Sequence, residues 1–360
     1  MLSSISGSNE RKTVYAVAMS GGVDSSVVAA VLQSRGHDVF GITMDIHENC
    51  LEDIEDAQKV CAKLGIPHYV FDVRAEYQRK VIDLFVDYYA RGLTPNPCAF
   101  CNRDLKLNIL VDYARGMGAE LMATGHYSNL AVDSARVLLS EAANLAKDQS
   151  YFVSLAPRHK LHFTRFPLGN IENKEQTRAM AQEFGLPNFK KDDSQDICFI
   201  RQGTYKEFLR NLKTNLNLFA PGHIKLRGND QIIGEHDGLA NYTIGQRRGL
   251  GISHGDPLYV VGLDPDNREV LVGNREDLVV SEFTVCAVNW LLDMDDEFEA
   301  FVKIRSFGIK TKAKIMKNPS GDITIKFLGE CKTPVTQGQV CAMYNLGNQV
   351  IGAGIISARK

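Results

Sequence analysis

Apolar positions in the first half of the chain form short runs, and segments with helical periodicity lie between them. The strand-sized runs are residues 14–19, 38–44, 67–73 and 120–124. The helical patterns are residues 51–64, residues 75–91 and a segment that follows a Pro-rich loop at 93–102 and ends near residue 116. Strands and helices that alternate with short connections are typical of an α/β fold with a doubly wound parallel sheet. Such a sheet binds its ligand beyond the carboxyl ends of its strands.

The second half of the chain has a different pattern from about residue 203 onward. A short helix through Leu212 precedes turns rich in Gly and charge, and β stretches at 259–263 and 270–272 then indicate a small central domain. Beyond residue 281, short strands alternate with turn residues and predict a C-terminal antiparallel β-barrel. These strands are residues 301–305, 313–316, 323–327, 340–344 and 350–356. We therefore expect three domains, at residues 1–202, 203–278 and 279–360.

A glycine turn joins the first strand to the first helix, with the sequence Ser20-Gly21-Gly22-Val23-Asp24-Ser25. The first N–H groups of a helix lack partners inside it, and with the helix dipole they form an anion site that glycines let a phosphate approach closely. No lysine follows the glycines, which disfavours the Gly-x4-Gly-Lys-Ser/Thr loop of other NTPases. The alternative is a turn that Asp24 and Ser25 cap without a ligand. We expect a phosphate to bind here.

Further candidate residues follow other strands at the same edge of the sheet. Met44 ends the second strand and could touch an adenine ring or belong to the core. The sequence Gly125-His126-Tyr127 follows the fourth strand, where Gly125 would let a nucleotide ring come close and a lone His is more often structural. Farther along lies a polar cluster, Lys147-Asp148-Gln149-Ser150, in which Asp148 or Ser150 could simply cap a helix.

Three cysteines are candidates for chemistry. Cys98 and Cys101 lie near a predicted helix N-terminus, a position that favours the thiolate, the form that acts as nucleophile or metal ligand. Packing, redox chemistry and metal binding all stay open for this pair, although a closed zinc site would need two more ligands. Cys198 follows an acidic turn and sits between apolar residues, where a Cys is usually a small buried hydrophobe.

The composition sets limits on location and partners. The chain has 360 residues, 44% of them hydrophobic and 23% charged, so it can bury a sizeable core. No membrane span or signal peptide is indicated, and the eight cysteines are too few for a disulfide scaffold, so we expect a cytoplasmic protein. The net charge of −2 means that nucleic-acid binding would depend on local basic patches. The patches are residues 190–191, 225–227, 247–248 and 303–314.

Six motifs occur in an order that resembles one family over nearly the whole chain. They are residues 20–26, Asn96-Pro97-x-x-x-Cys101-Asn102, residues 124–127, residues 147–150, residues 193–200 and residues 242–251. Together they resemble the bacterial tRNA-specific 2-thiouridylase family of the ATP pyrophosphatase (PP-loop) superfamily. The resemblance implies an adenine nucleotide alpha hydrolase-like fold. It also implies an enzyme that converts the wobble uridine of certain tRNAs to 2-thiouridine, with ATP and a sulfur relayed as a persulfide.

The resemblance also implies roles for individual residues. ATP would be bound by Ala18, Met19, Ser20, Gly21, Gly22, Val23, Asp24, Ser25, Met44 and Gly125, with Asp24 helping to hold Mg²⁺ or pyrophosphate. The target base would face Asn96, Pro97 and Cys98. The tRNA would contact His126, Lys147, Asp148, Gln149, Arg305, Ser306 and Gln339. Cys198 would carry the persulfide from a donor protein, and Cys101 would release the sulfur, leaving a transient Cys101–Cys198 disulfide.

One position departs from the family pattern, since many members have Asp where this chain has Cys98. Cys98, Cys101 and Cys198 could instead ligate three irons of a [4Fe-4S] cluster whose fourth iron binds sulfide. Two rival functions remain as well. An amide synthetase of the same superfamily would explain the glycine turn but would give Cys101 and Cys198 no role. A tRNA-binding protein without catalysis would explain the basic patches but not the turn.

Overall fold

The computed structural model describes residues 11–47, 50–133, 136–192, 197–200, 203–212 and 218–359. The chain divides into two compact units, the first made of residues 1–80, 99–195 and 348–350 and the second of residues 81–98, 196–347 and 351–360. Of the sequence motifs, residues 193–196, which precede Cys198, lie outside the described residues. No helix in the described ranges has the length and apolar character that crossing a bilayer requires.

The strands include a set in the N-terminal half and a longer set beyond residue 220. They are β1 (Val14–Ala18), β2 (Asp38–Asp45), β3 (His68–Asp72), β4 (Leu121–Ala123), β5 (Asn129–Val132), β6 (Val137–Ser140), β7 (Thr164–Arg165), β8 (Gly222–Leu226), β9 (Ile232–His236), β10 (Tyr259–Asp264), β11 (Glu269–Gly273), β12 (Glu282–Trp290), β13 (Glu297–Lys303), β14 (Thr311–Lys317), β15 (Ile323–Phe327), β16 (Val340–Tyr344) and β17 (Val350–Arg359).

The α-helices are concentrated before residue 212. They are α1 (Val23–Ser34), α2 (Leu51–Leu64), α3 (Arg74–Tyr77), α4 (Asp83–Ala90), α5 (Pro97–Cys101), α6 (Leu110–Gly116), α7 (Ser150–Val153), α8 (Arg158–Leu161), α9 (Lys174–Glu183) and α10 (Tyr205–Asn211). Two π-helical segments, Gln78–Ile82 and Asn102–Ile109, interrupt the long helices that the sequence predicts. A π-turn inserts a residue into the helix and shifts the side chains that follow, and such turns are frequent at functional sites.

The first unit is built on a five-stranded parallel sheet with the order β3-β2-β1-β4-β7. Helix α1 packs against it, and Val27, Val28 and Ala29 of this helix are fully buried. The small side chains of this Val- and Ala-rich helix let its backbone lie close to the central strands, while α2 and α9 complete the core. This arrangement brings the start of α1 to the carboxyl edge of β1, and it confirms the predicted parallel sheet.

In its described residues, the second unit contains a four-stranded sheet, a barrel, and helices that include α4 and α10. Strands β10-β11-β8-β9 form a four-stranded sheet in which only the β11–β8 pair is parallel. Strands β12-β15-β14-β13-β16-β17 close into a barrel that is filled by apolar side chains such as Ile315 and Ile325. The predicted C-terminal antiparallel barrel is therefore confirmed. Helix α10 begins with a capping box between Thr204 and Glu207.

Candidate functional site

The glycine turn is shaped so that its helix presents uncapped amides. Gly22 is the N-cap of α1 and has an extended backbone, but no side chain that could accept from the first-turn N–H groups. Its carbonyl accepts from Ser25 Oγ at 3.2 Å and Ser26 Oγ at 2.8 Å, which fixes the turn from inside. Gly21 has a φ of 72°, and a Cβ there would lie 2.4 Å from the carbonyl oxygen of Asp53. Only glycine fits this position, and an anion can take the place of a cap.

Asp24, in the first turn of α1, is held by a hydrogen-bonded network. Its Oδ1 accepts from Tyr127 OH at 2.8 Å and from Lys174 Nζ at 2.7 Å. Tyr127 OH also lies 2.8 Å from Thr177 Oγ1, on the helix that carries Lys174. Within the described part of the chain both bonds to Asp24 fall on Oδ1, so Oδ2 can accept a further partner.

A second set of contacts supports the turn from behind. Asn188 is 8% exposed, and its Nδ2 donates to the carbonyl oxygen of Gly21 at 3.0 Å and to Ser26 Oγ at 2.9 Å. Lys191 Nζ pairs with Asp53 Oδ1 at 3.0 Å and with Asp56 Oδ2 at 2.7 Å, near the start of α2. Since the backbone of Asp53 packs against Gly21, residues 188–191 hold both sides of the turn.

The end of β4 lies against the start of α1. A Cβ on Gly125 would be 2.8 Å from Ser25 N, so the glycine allows two backbones to touch. His126 is buried, and its Nδ1 lies 2.7 Å from Thr124 Oγ1. Burial, and then the charge of Lys106, holds the pKa of His126 well below its ordinary value, so the imidazole is neutral at physiological pH. Met44 is half-buried and is the residue before the last of β2, at the same edge of the sheet.

The polar cluster at 147–150 is joined to this edge. Gln149 Oε1 accepts from Tyr127 N at 2.9 Å, and Gln149 N donates to the Tyr127 carbonyl at 2.8 Å. Asp148 accepts from the amides of Ala142 and Ser150, and from Ser150 Oγ at 2.7 Å, so it orders the turn before α7 as a cap would. Lys147 is exposed.

The cysteines differ in exposure. Cys98 is exposed and Cys101 partly buried, three residues apart on α5 and so on one helix face. Asn102, the next residue, is buried and donates from Nδ2 to the Phe152 carbonyl at 3.1 Å. Cys198 is exposed and belongs to the second unit, whereas Cys101 belongs to the first. Burial raises the pKa of the Cys61 thiol to about 12, which makes that side chain unreactive.

In the second unit, the predicted barrel residues gather at one cavity of about 390 Å³, which Arg305, Ser306, Gln339 and Thr94 line. Gln339 Nε2 donates to the carbonyl oxygens of Thr94 at 3.0 Å and Pro95 at 3.1 Å. Arg305 Nη2 donates to the Ile244 carbonyl at 3.2 Å and to Thr336 Oγ1 at 2.6 Å. The barrel thus holds the segment that leads directly into the buried residues Asn96 and Pro97.

Among the described residues, no cluster of three or more His, Cys, Asp or Glu side chains is arranged to hold a metal ion. Mg²⁺ does not need such a cluster, because it usually binds one or two carboxylates together with substrate phosphates. Asp24 at the glycine turn fits that role with its Oδ2.

Lys174, Thr177 and Asn188 contact this site and have no counterpart among the sequence predictions for it. Asn173 caps α9 by accepting from Gln176 N at 2.9 Å, and this spacing is a sequence signal for a helix start. That signal predicts the helix but not its contact with Asp24. Tyr127 is part of a recognised motif, yet its hydroxyl contact depends on the fold.

The fold and the site define a class: an α/β domain whose parallel sheet has an uncapped glycine turn at its edge, in a chain that also contains a four-stranded sheet and a closed β-barrel. Residues 12–202 match the family described as tRNA methyl transferase HUP domain. Residues 207–274 match tRNA methyl transferase PRC-barrel domain, and residues 280–356 match Aminomethyltransferase beta-barrel domain. The chain belongs to the tRNA-specific 2-thiouridylase family, which confirms the resemblance of its motifs.

Relatives along the whole length carry that family name. The tRNA-specific 2-thiouridylase MnmA of Rickettsia africae is 43% identical over 362 positions, covering 97% of this chain and 98% of the relative. That of Rickettsia canadensis is 40% identical over 366 positions, covering 97% of each chain. Among solved structures, NMN synthetase from Francisella tularensis is similar at a TM-score of 0.36 and 18% identity, over 51% of this chain and 67% of the other.

Proposed function

We propose that this chain is a tRNA-specific 2-thiouridylase, a transferase that adenylates O2 of the wobble uridine with ATP and then replaces that oxygen with sulfur. The observation that carries the proposal is the uncapped start of α1, with Asp24 in its first turn and Gly22 in place of a capping side chain. Family membership provides the substrate class, since the relatives are named for tRNA thiolation. We retain the limits 1–202, 203–278 and 279–360 for its three domains.

The nucleotide would lie along the carboxyl edge of the parallel sheet. Residues 18–25 would surround the phosphates with backbone amides and serine hydroxyls, while Met44 and Gly125 would border the adenosine. Asp24 would hold Mg²⁺ together with phosphate oxygens, and the ion would supply charge neutralisation on the phosphates. Backbone amides that are already oriented toward the phosphates stabilise the charge that develops during the reaction, because the protein does not have to rearrange.

Adenylation converts O2 of uracil, a poor leaving group, into one that can depart with AMP. The O2 of uracil attacks the α-phosphorus of ATP, and the bond to the bridging oxygen of pyrophosphate breaks. C2 then carries an AMP group, which departs with the original O2 when a sulfur nucleophile adds to C2. A base stacked in an anticodon is not accessible to these groups, so the target base is flipped out of the loop.

The sulfur would arrive through two cysteines. An exposed Cys198 suits loading by a persulfide donor protein, which leaves a Cys198–S–SH group. The Cys101 thiolate attacks the Cys198 sulfur, a Cys101–Cys198 disulfide forms, and hydrosulfide leaves to attack C2. A thiol reductant then restores both thiols. Cys101 is suited to this position because α5 begins directly after Asn96 and also carries Cys98, which would face the target base.

The tRNA would contact two surfaces. The surface in the first unit lies at the carboxyl edge of the parallel sheet and the turn before α7. The surface in the second unit is the cavity that Arg305, Ser306 and Gln339 line. The proposed contact residues are His126, Lys147, Asp148, Gln149, Arg305, Ser306 and Gln339. The hydrogen bonds of Gln149 to Tyr127 and of Gln339 to Thr94 support the proposal, because they tie each surface to residues beside the ATP or the target base.

We test this proposal by nucleoside analysis. A wobble-uridine tRNA transcript is incubated anaerobically with the protein, Mg-ATP and a persulfide donor, and 2-thiouridine is expected. Cys101→Ser and Cys198→Ser should each abolish it, while Cys286→Ser, a half-buried thiol of β12, should not. AMP formation without 2-thiouridine would favour an amide synthetase.

The same preparation distinguishes the persulfide route from a [4Fe-4S] cluster on Cys98, Cys101 and Cys198. We propose the persulfide route because the exposed Cys198 is accessible to a persulfide donor protein. Iron-free protein should form 2-thiouridine at the full rate. Activity that appears only after reconstitution with iron and sulfide would overturn this choice.

A further inference from the structure

The glycine turn has no cation of its own, although ATP cleavage there would release a highly charged pyrophosphate. Residues 20–28 contain no Lys or Arg. The structure places a lysine at this point from a distant part of the chain. Lys174 Nζ lies 2.7 Å from Asp24 Oδ1, and the Lys174 side chain is 12% exposed.

The position of Lys174 is fixed by its helix. It is the first residue of α9, which Asn173 caps and which packs against α1. One turn later, Thr177 is fully buried and its hydroxyl lies 2.8 Å from Tyr127 OH, the second donor to Asp24. The ammonium of Lys174 is therefore held at the start of α1 by contacts on both sides.

The electrostatics of this position favour a bound anion. A lysine at the first turn of a helix lies at the positive end of the helix dipole, which is unfavourable for a cation. The start of α1 contributes a second positive end, and a largely buried ion pair must also offset the desolvation of both charges. Asp24 supplies one negative charge to the site. Two helix N-termini and an ammonium gathered around one carboxylate form a site for a polyanion.

We propose that Lys174 is a catalytic residue of the adenylation site, where it binds the β- and γ-phosphates of ATP and stabilises the departing pyrophosphate. This inference rests on the proposed function. Lys174 pairs with Asp24; with Mg-ATP bound, Asp24 would hold Mg²⁺ and Lys174 would contact phosphate oxygens. As the bond between the α-phosphorus and the bridging oxygen breaks, its electron pair moves to pyrophosphate, and Lys174 neutralises that charge without giving up a proton.

The test compares Lys174→Met and Lys174→Arg in the full chain. Removing one donor to a developing oxyanion costs about 100-fold or more in kcat, so Lys174→Met should lose that much tRNA-dependent AMP formation with the KM for tRNA unchanged. It should also weaken product inhibition by pyrophosphate at least about tenfold, equal to about 1.4 kcal/mol, but not inhibition by AMP. Lys174→Arg keeps the charge and should recover most of both effects.

A matched control is Lys160→Met. Lys160 is 13% exposed and paired with Asp112, so it has similar burial and a similar ion pair in the same unit. It should retain the pyrophosphate inhibition of the wild type. If Lys174→Met and Lys160→Met show the same pyrophosphate inhibition, Lys174 has only a structural role and the inference fails. If the wild type forms no AMP with tRNA, the proposed function itself fails.

A measurement on the wild type covers the case in which Lys174→Met does not fold. Amine acetylation followed by peptide mass spectrometry should show that pyrophosphate protects Lys174 and leaves the labelling of Lys160 unchanged. Equal acetylation of Lys174 with and without pyrophosphate overturns the inference.

Discussion

The side-chain amide of Asn188 donates to the carbonyl oxygen of Gly21 at 3.0 Å, across 167 positions of the sequence. The same Nδ2 donates to Ser26 Oγ at 2.9 Å. The first contact holds Gly21, whose φ of 72° is left-handed, and the second holds the first turn of α1. Asn188 therefore fixes the backbone of the turn, although it does not belong to the proposed phosphate site.

Asn188→Ala should weaken both the fold and ATP binding. It leaves two buried groups without their donor, and we expect a loss of about 1–2 kcal/mol of unfolding free energy and an increase of about tenfold in the KM for ATP. Urea unfolding and steady-state kinetics measure the two effects. The control is Asn129→Ala, which removes a similar bond, to the Glu141 carbonyl at 3.0 Å. An equal KM for ATP in both variants would show that Asn188 does not position the turn.

Gly125→Ala should displace the start of α1. The new Cβ would meet Ser25 N at 2.8 Å and the carbonyl carbon of Asp24 at 3.0 Å, and neither backbone can move without altering the turn. We expect ATP binding to be lost in calorimetry while the circular dichroism of the protein is retained. Gly116→Ala, an exposed position with no heavy atom within 4 Å of the added Cβ, should instead gain about 0.5–1 kcal/mol of stability. Normal ATP affinity in Gly125→Ala would contradict the close approach.

Buried His126 should make stability depend on pH. Burial holds its folded-state pKa well below the ordinary 6.5, so the unfolded chain binds a proton that the folded protein does not. The free energy of unfolding should therefore fall as pH drops below about 6.5, with a slope of up to about 1.4 kcal/mol per pH unit until the folded-state pKa is reached.

Urea unfolding between pH 7.5 and 5 compares wild type with His126→Asn, which should show a shallower slope. His159→Asn, which removes an exposed imidazole, is the control. Identical slopes for wild type and His126→Asn would mean that His126 takes up its proton in the folded protein as well.

Gln339→Ala should affect tRNA and not ATP. It removes the two hydrogen bonds from Gln339 Nε2 to the Thr94 and Pro95 carbonyls, directly before the residues proposed to face the target base. We expect kcat/KM for tRNA to fall about tenfold, with the KM for ATP unchanged. Gln337→Ala removes a bond to the Ser357 carbonyl instead and should behave like wild type. A parallel loss in both variants would indicate a general weakening of the barrel.

The sequence predicted strands in which the pattern of apolar residues runs without interruption. The bounds of β15 and β16 coincide with the predicted runs 323–327 and 340–344, because these strands are short and regular. Strand β12 was not predicted. Its pairing with β17 shifts register between Cys286 and Asn289, and Ala287 has a φ of 49°, so the alternation of apolar residues is broken. The π-helical segments likewise interrupt the helical periodicity of about 3.6 residues, which the sequence pattern predicts to be continuous.

The candidate site was predictable only in its local part. The glycine turn follows from adjacent residues, because strand, glycines and helix start occur within one short segment. The contacts of Asp24 with Lys174 and of Gly21 with Asn188 join positions 150 and 167 residues apart. No local pattern contains such contacts, since they form only when α9 and the residues that follow it have packed against α1.

The central claim is that ATP activates the uracil oxygen itself. It is tested most directly with a tRNA whose wobble uracil carries oxygen-18 at O2, incubated with the protein, Mg-ATP and a persulfide donor. Mass spectrometry of the AMP should find one oxygen-18 atom for each 2-thiouridine formed, because AMP departs with the original O2. Unlabelled AMP accompanied by 2-thiouridine would contradict adenylation of the base.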